Sequence, residues 1–235
     1  MSKRIFTVII GLALLSSILS AQTQKLRNQP YGDYKLYHFG ITVGLNFQNL
    51  LLTNSGSTEE NGNTWYGTIP NYSSGFTVGL IADLYLNPFM NLRFTPMLCF
   101  GDKGFEFVEQ TTKENFKTNV RSNYLFFPLD LKIRSMRLNN YRPYVLAGVY
   151  SAVDMGRKKD DPMLLKQMDY GISIGLGCDF YLSFVKVVPE IRFCFGLGNM
   201  LEKDRSDLTD PSKAKYSAAL SKGVSRMIIF TFNFE

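Results

Sequence analysis

Apolar and polar side chains alternate with a period of two along most of this chain, the pattern of β-strands whose two faces meet different surroundings. In residues 37–52, Phe39, Ile41, Val43, Leu45 and Phe47 share one face, and Gly40, Thr42, Gly44, Asn46 and Gln48 share the other. Residues 74–87 set Phe76, Val78, Leu80, Ala82, Leu84 and Leu86 against Thr77, Gly79, Ile81, Asp83 and Tyr85. The pattern recurs in 90–101, 121–134, 168–182, 185–198 and 224–235. Residues 141–154 are apolar on both faces, so periodicity predicts a strand there without saying which face is which. Eight strands are predicted.

The connections alternate in length. Long ones at 53–73, 102–120, 155–167 and 199–223 are separated by short ones at Pro88, 135–140 and Ser183-Phe184. Transmembrane barrels have short turns on the periplasmic side and long loops outside. With an even number of strands the barrel begins and finishes on the periplasmic side, and the first connection, 53–73, is then external and long, as required. The predicted fold is all-β: an eight-stranded antiparallel transmembrane β-barrel over 37–235, with short periplasmic turns and long extracellular loops.

The two faces also divide by chemistry. One carries Leu, Ile, Val and Phe, and the other carries Asp83, Arg93, Asp130, Lys132, Asp179, Glu190 and Arg192. A charge on a lipid-facing position costs about 2–4 kcal/mol at the bilayer midplane, so the charges belong inside. An eight-stranded barrel is just wide enough for its own side chains to fill it. These seven residues are therefore expected to form an ion-pair network that plugs the lumen, with inward glycines relieving the crowding.

Composition adds a destination. The chain has 235 residues, and its mean hydropathy of −0.06 reflects strands apolar on one face only. Within residues 1–21, Lys3 and Arg4 precede an apolar run from Ile5 to Leu19, then Ser20 and Ala21, which is the layout of a cleavable secretory signal peptide. Residues 22–36 would then be a periplasmic N-terminal segment. The formal charge is +6. Lys3 and Arg4 account for two of these charges and no acid lies in 1–21, leaving +4, with no basic cluster interleaved with aromatics. Nucleic acid is not an expected partner.

Candidate chemistry is sparse. Cys99, Cys178 and Cys194 lack metal-type spacing and read as buried free thiols. His38 lies between Tyr37 and Phe39 and reads as a rim histidine in an aromatic belt rather than a catalytic base. Glu202, Asp204, Asp207 and Asp210 interleave with Lys203, Arg205 and Lys213, so a solvated mixed-charge loop is expected rather than a calcium site. The run Arg157, Lys158 and Lys159 is compatible with contact to lipopolysaccharide phosphates. No catalytic residue, metal, cofactor or small-molecule substrate is expected. Outer-membrane lipid and lipopolysaccharide are the expected surroundings.

Several segments, in order along the chain, resemble the PorT family of Bacteroidota outer-membrane proteins. They are Tyr37-His38-Phe39-Gly40-Ile41-Thr42-Val43-Gly44-Leu45-Asn46, Asn91-Leu92-Arg93-Phe94-Thr95-Pro96, Phe127-Pro128-Leu129, Asn140-Tyr141-Arg142-Pro143-Tyr144 with Ala147-Gly148, and Val188-Pro189-Glu190-Ile191-Arg192-Phe193 with Gly196, Leu197 and Asn199. Phe234, near the end of the last strand, is similar to the aromatic signal read by barrel-assembly machinery. Lys103 stands where the family pattern has arginine, and Phe126-Phe127-Pro128 lacks the acid expected before the proline. The resemblance implies a non-enzymatic subunit or accessory factor of the type IX protein secretion system, needed for export of cargo with C-terminal sorting domains. It also implies contact with other subunits of that system, for which His38, Arg142 and Tyr144 at the periplasmic rim are the docking candidates. Three other readings are a generic small barrel acting as a passive channel or adhesive scaffold, a lipid-modifying barrel enzyme using His38, and, as a different class, a periplasmic soluble β-sandwich.

Overall fold

The computed structural model describes residues 28–54, 65–68, 73–109, 115–156, 165–202 and 220–235. The expected signal peptide 1–21 lies outside these, as do Arg157, Lys158, Lys159 and the loop acids Asp204, Asp207 and Asp210.

The strands are β1 (Tyr37–Asn54), β2 (Trp65–Thr68), β3 (Ser73–Asn87), β4 (Met90–Phe94), β5 (Met97–Phe100), β6 (Asp102–Glu109), β7 (Asn115–Arg121), β8 (Tyr124–Arg134), β9 (Tyr141–Asp154), β10 (Met168–Tyr181), β11 (Lys186–Gly196) and β12 (Leu220–Phe234). Antiparallel pairing runs β1-β12-β11-β10-β9-β8-β4-β3, and β3 returns to β1 to close the ring. β5 continues β4 as one stave, pairing with both β3 and β8. The break falls at Thr95-Pro96, where proline has no N–H to donate; the Pro96 carbonyl still accepts from Leu80 N at 3.0 Å. The ring therefore has eight staves and no open sheet edge.

Three short turns gather at the end where β1 starts and β12 finishes. One is a tight hairpin: Leu138 and Tyr141 exchange backbone hydrogen bonds at 3.0 and 3.1 Å, and Asn139 takes φ 55°, a left-handed conformation that asparagine tolerates. By the loop-length rule this is the periplasmic end.

The two faces separate as the alternation predicts. Phe39 is 72 % and Ile41 54 % exposed on the outer wall, while Thr42, Asn46, Asp130, Lys132 and Asp179 are fully buried inside. In lipid the outer wall is covered by acyl chains. β9, whose faces periodicity leaves open, turns Arg142, Tyr144, Leu146, Tyr150 and Ala152 inward and Tyr141, Val145 and Val149 outward.

The interior is layered. Above the periplasmic mouth lies a charged layer. Above that is an apolar plug of Met97, Cys99, Tyr124, Phe126, Tyr150, Ala152, Cys194, Met227 and Ile229. Polar groups sit beside this plug, in register with Ile229, Met227 and Cys99: Asn46 Nδ2 donates to Thr77 Oγ1 at 2.9 Å and Gln48 Nε2 donates to Asn46 Oδ1 at 3.1 Å. Cys99 and Cys194 are buried free thiols, but Cys178 is only half-buried. Gly177 faces inward because nothing larger fits: a Cβ there would lie 2.3 Å from Tyr144 Oη.

The expectation of plain loops at 53–73 and 102–120 is corrected. β2, β6 and β7 form a separate three-stranded sheet in the order β2-β6-β7, with Trp65 opposite Glu109 and Asp102 opposite Arg121. These strands lie beyond the barrel wall, where no lipid imposes a face, so a segment such as Asn115-Phe116-Lys117-Thr118-Asn119 carries no strong alternation to read.

Candidate functional site

Seven of the eight staves deliver charged or hydroxyl groups to one level of the lumen, because each inward position there is polar while its neighbours in sequence face lipid. Arg93 on β4 is the hub. Its guanidinium reaches Asp83 at 2.7 Å, Glu190 at 3.2 Å and Glu235 at 2.5 Å. Lys132 pairs with Asp179 at 2.8 Å and lies 4.0 Å from Asp83. Arg192 bridges Asp130 at 3.0 Å and Glu190 at 2.9 Å. Ser173 donates to Asp130 at 2.5 Å. All seven charged residues expected in the lumen thus lie within one connected set of contacts.

Two members escape the sequence-derived set. Lys186 forms an ion pair with Glu235, whose side chain is 1 % exposed. The signal for both was present, because the alternation puts Lys186 on the face of Glu190 and Arg192, and Glu235 on the face of Asn233.

Tyr144, expected at the rim, instead belongs to this layer. Its hydroxyl donates to Glu190 at 2.6 Å, and its ring carries Lys132 Nζ 4.1 Å and Arg93 Cζ 5.6 Å from the centroid. It is 4 % exposed, so it presents no face to an outside protein. Arg142 also points inward. It donates from Nε to Ser135 O at 2.7 Å and to the Pro88 carbonyl, tying two periplasmic turns together. The physical reason is the same for both: on β9 the even positions face the lumen, and a short turn leaves no rim for them to project from.

The periplasmic mouth is closed by the N-terminal segment. Asn28 donates to the Tyr181 carbonyl at 2.9 Å and Gln29 to the Leu182 carbonyl at 3.0 Å, while Arg137 holds the Asn28 carbonyl. A short 3-10 turn at Gly32–Tyr34 then lowers Asp33 into the mouth. Tyr181 donates to Asp33 at 2.5 Å, and Arg137, Arg142 and Arg134 stand 3.3, 3.5 and 3.9 Å away. Partial burial acts to raise the Asp33 pKa, but the Tyr181 hydrogen bond and the positive field of Arg142, Arg137 and Arg134 outweigh it, and the carboxyl is held below its ordinary value. His38 joins this strap by donating from Nε2 to the Gly32 carbonyl at 2.6 Å. It lines the mouth beside Asp33, Tyr181 and Lys186. No local pattern announces the strap, because apart from His38 its partners lie on distant turns and strand ends.

Chemically this is a set of mutually compensating ions and a latch. The lumen carboxylates Asp83, Asp130, Asp179, Glu190 and Glu235 each lie within 4.0 Å of a cation, and the largest fully buried side chains include Arg93, Arg192, Tyr124, Phe126 and Lys132. The waist of the barrel is filled by side chains.

A model of the outer membrane protein beta-barrel domain family matches residues 20–202. No curated protein matches. Among solved structures, the chain is similar to the outer membrane protein OprG from Pseudomonas aeruginosa, at 12 % identity over 83 % of this chain and 92 % of that one, with a TM-score of 0.44. It is also similar to the N-terminal β-barrel domain of Pseudomonas aeruginosa OprF, at 12 % identity over 83 % and 96 % of the two chains and a TM-score of 0.32. A third is AlkL, an outer membrane protein solved in DMPC lipid bilayers, at 12 % identity over 92 % of each chain and a TM-score of 0.38. The family match spans well over half of a chain whose staves close into a ring with an apolar outer wall, and on that ground the chain belongs to the outer membrane protein beta-barrel domain family and is an integral protein of the bacterial outer membrane.

Proposed function

We propose that this barrel is a non-enzymatic accessory subunit of the type IX protein secretion system, needed for export of cargo bearing a C-terminal sorting domain. The observation that carries the reading is the filled lumen. With Arg93, Lys132 and Arg192 buried at its waist and an apolar plug above them, the barrel offers its periplasmic end and outer wall as working surfaces rather than a conduit. The segments that resemble the PorT family also meet in one place: Arg93, Tyr144, Glu190 and Arg192 come from three of them and touch one another. Its surroundings in this role are outer-membrane lipid, lipopolysaccharide and the other subunits of the machine.

Deletion of the gene is expected to leave sorting-domain cargo inside the cell, with export restored by the wild-type copy. Normal cargo secretion in the deletion strain overturns the reading. Purified barrel in planar bilayers is expected to be silent; a steady conductance would favour a passive channel instead.

A further inference from the structure

Around Asp33 the periplasmic mouth holds more positive charge than that carboxylate answers. Arg134, Arg137 and Arg142 surround Asp33, and Asp83 and Asp179, which act on Arg134 from the layer above, are already paired with Arg93 and Lys132. Arg137 and Arg142 spend their other donors on backbone carbonyls of Asn139, Gln29, Asn28, Ser135 and Pro88. Arg134 does not. It donates from Nη2 to Asn87 O at 3.3 Å, yet its Nε has no partner although the residue is only 3 % exposed. A buried guanidinium N–H without an acceptor is costly.

Beside these arginines lies a cavity of about 200 Å³ that Asp33 also lines and whose remaining wall is aromatic and apolar, with Tyr34, Tyr85, Phe89 and Met136. This is smaller than the roughly 300–1,000 Å³ of sites for drug-sized ligands, and suits a single side chain. Asp33 already demonstrates what the cluster accepts: a carboxylate on a peptide with aromatic neighbours, Tyr31 and Tyr34. A guanidinium fork matches a carboxylate with two parallel hydrogen bonds.

We propose that this cavity receives the carboxylate of an acidic residue on a periplasmic protein partner, with an apolar neighbour of that residue seated against Tyr34, Phe89 and Met136. The proposal rests on the reading that the periplasmic end meets another protein. The apolar wall is what favours a peptide over a free inorganic anion. Asp33 competes with the incoming carboxylate for the same three arginines, so it sets the affinity of the site.

The test uses the full barrel in nanodiscs and calorimetric titration with the peptide acetyl-Glu-Phe-amide. Saturable binding is expected, with the Gln peptide weaker by about tenfold or more, the size of effect set by losing one charge-assisted contact. Arg134→Gln is expected to weaken binding of the Glu peptide by about tenfold while leaving the Gln peptide unchanged. Met136→Glu, an exposed position at the cavity mouth, is expected to abolish it while leaving the heat-modifiable gel migration of the folded barrel unchanged. Equal binding of the Glu and Gln peptides, unchanged binding of the Glu peptide by Arg134→Gln, or displacement of the peptide by millimolar inorganic phosphate overturns the proposal. Cargo export in strains carrying either variant is scored separately: lost peptide binding with intact export in Met136→Glu retires this site and leaves the accessory role standing.

Discussion

Arg93 Nη2 lies 2.5 Å from Glu235 Oε1, so β4 and the residue after β12, 142 positions apart in sequence, are joined across the lumen. Replacing Arg93 by Met would leave Asp83, Glu190 and Glu235 facing one another without the cation between them. Breaking one partner of a buried ionic set costs about 3–5 kcal/mol, because the remaining charges stay desolvated. Arg93→Met is therefore expected to lower the stability of the detergent-folded barrel by that amount in urea unfolding. Adding Glu235→Gln should recover part of the loss, and an unchanged midpoint in the single variant would refute the hub role.

The strap is expected to be acid-sensitive. Asp33 has a folded pKa below its ordinary value of 3.8, so the released strap takes up a proton more readily than the docked one. Docking is complete above the unfolded value and is lost as pH falls through the folded value, below about pH 4. Limited proteolysis after Tyr31 or Tyr34 should accelerate in that range. Asp33→Asn should show the fast rate at neutral pH as well.

Crowding around Tyr144 gives a steric prediction. Gly177→Ala would put a methyl group 2.3 Å from Tyr144 Oη and 2.4 Å from its Cζ, and that ring is held by Lys132, Arg93 and Glu190. Overpacking of this kind costs about 1–3 kcal/mol. Gly198→Ala is the control. Its methyl group would meet Tyr170 at 3.7 Å, an ordinary contact, and its unfolding midpoint should not move.

The outer wall gives a depth prediction. Val149 lies well inside β9, 57 % exposed on the outer wall, whereas Tyr141 opens the strand at the periplasmic rim. Lysine at a lipid-facing midplane position costs about 2–4 kcal/mol, falling to about 0–1 near the interface. Val149→Lys should therefore lose several-fold more stability than Tyr141→Lys, measured by reversible unfolding in lipid vesicles.

The staves were legible because lipid and lumen impose opposite chemistry on neighbouring residues, as β10 and β1 up to Gln48 show. β9 was not, because its inward positions Leu146, Tyr150 and Ala152 belong to apolar parts of the lumen and match the outer face in kind. The same ambiguity put Tyr144 at a rim when it lies in the charged layer. β2, β6 and β7 stand clear of the bilayer and carry no such imprint. The Asp33 latch left no trace either, since its partners Arg134, Arg137, Arg142 and Tyr181 are more than a hundred positions away and come together only when the ring has closed.

The charged layer has a consequence for how the barrel is built. Its members come from β3, β4, β8, β9, β10 and β11 and from the residue after β12, so it samples the alignment of seven staves at once. A slip of one residue in any of these staves turns its whole inward face to the bilayer. The slipped charge then sits in hydrocarbon, and its former partners are left uncompensated in the lumen. Insertion with the wrong alignment is penalised on both sides of the wall, and the ion pairs act as proofreading for assembly into the outer membrane.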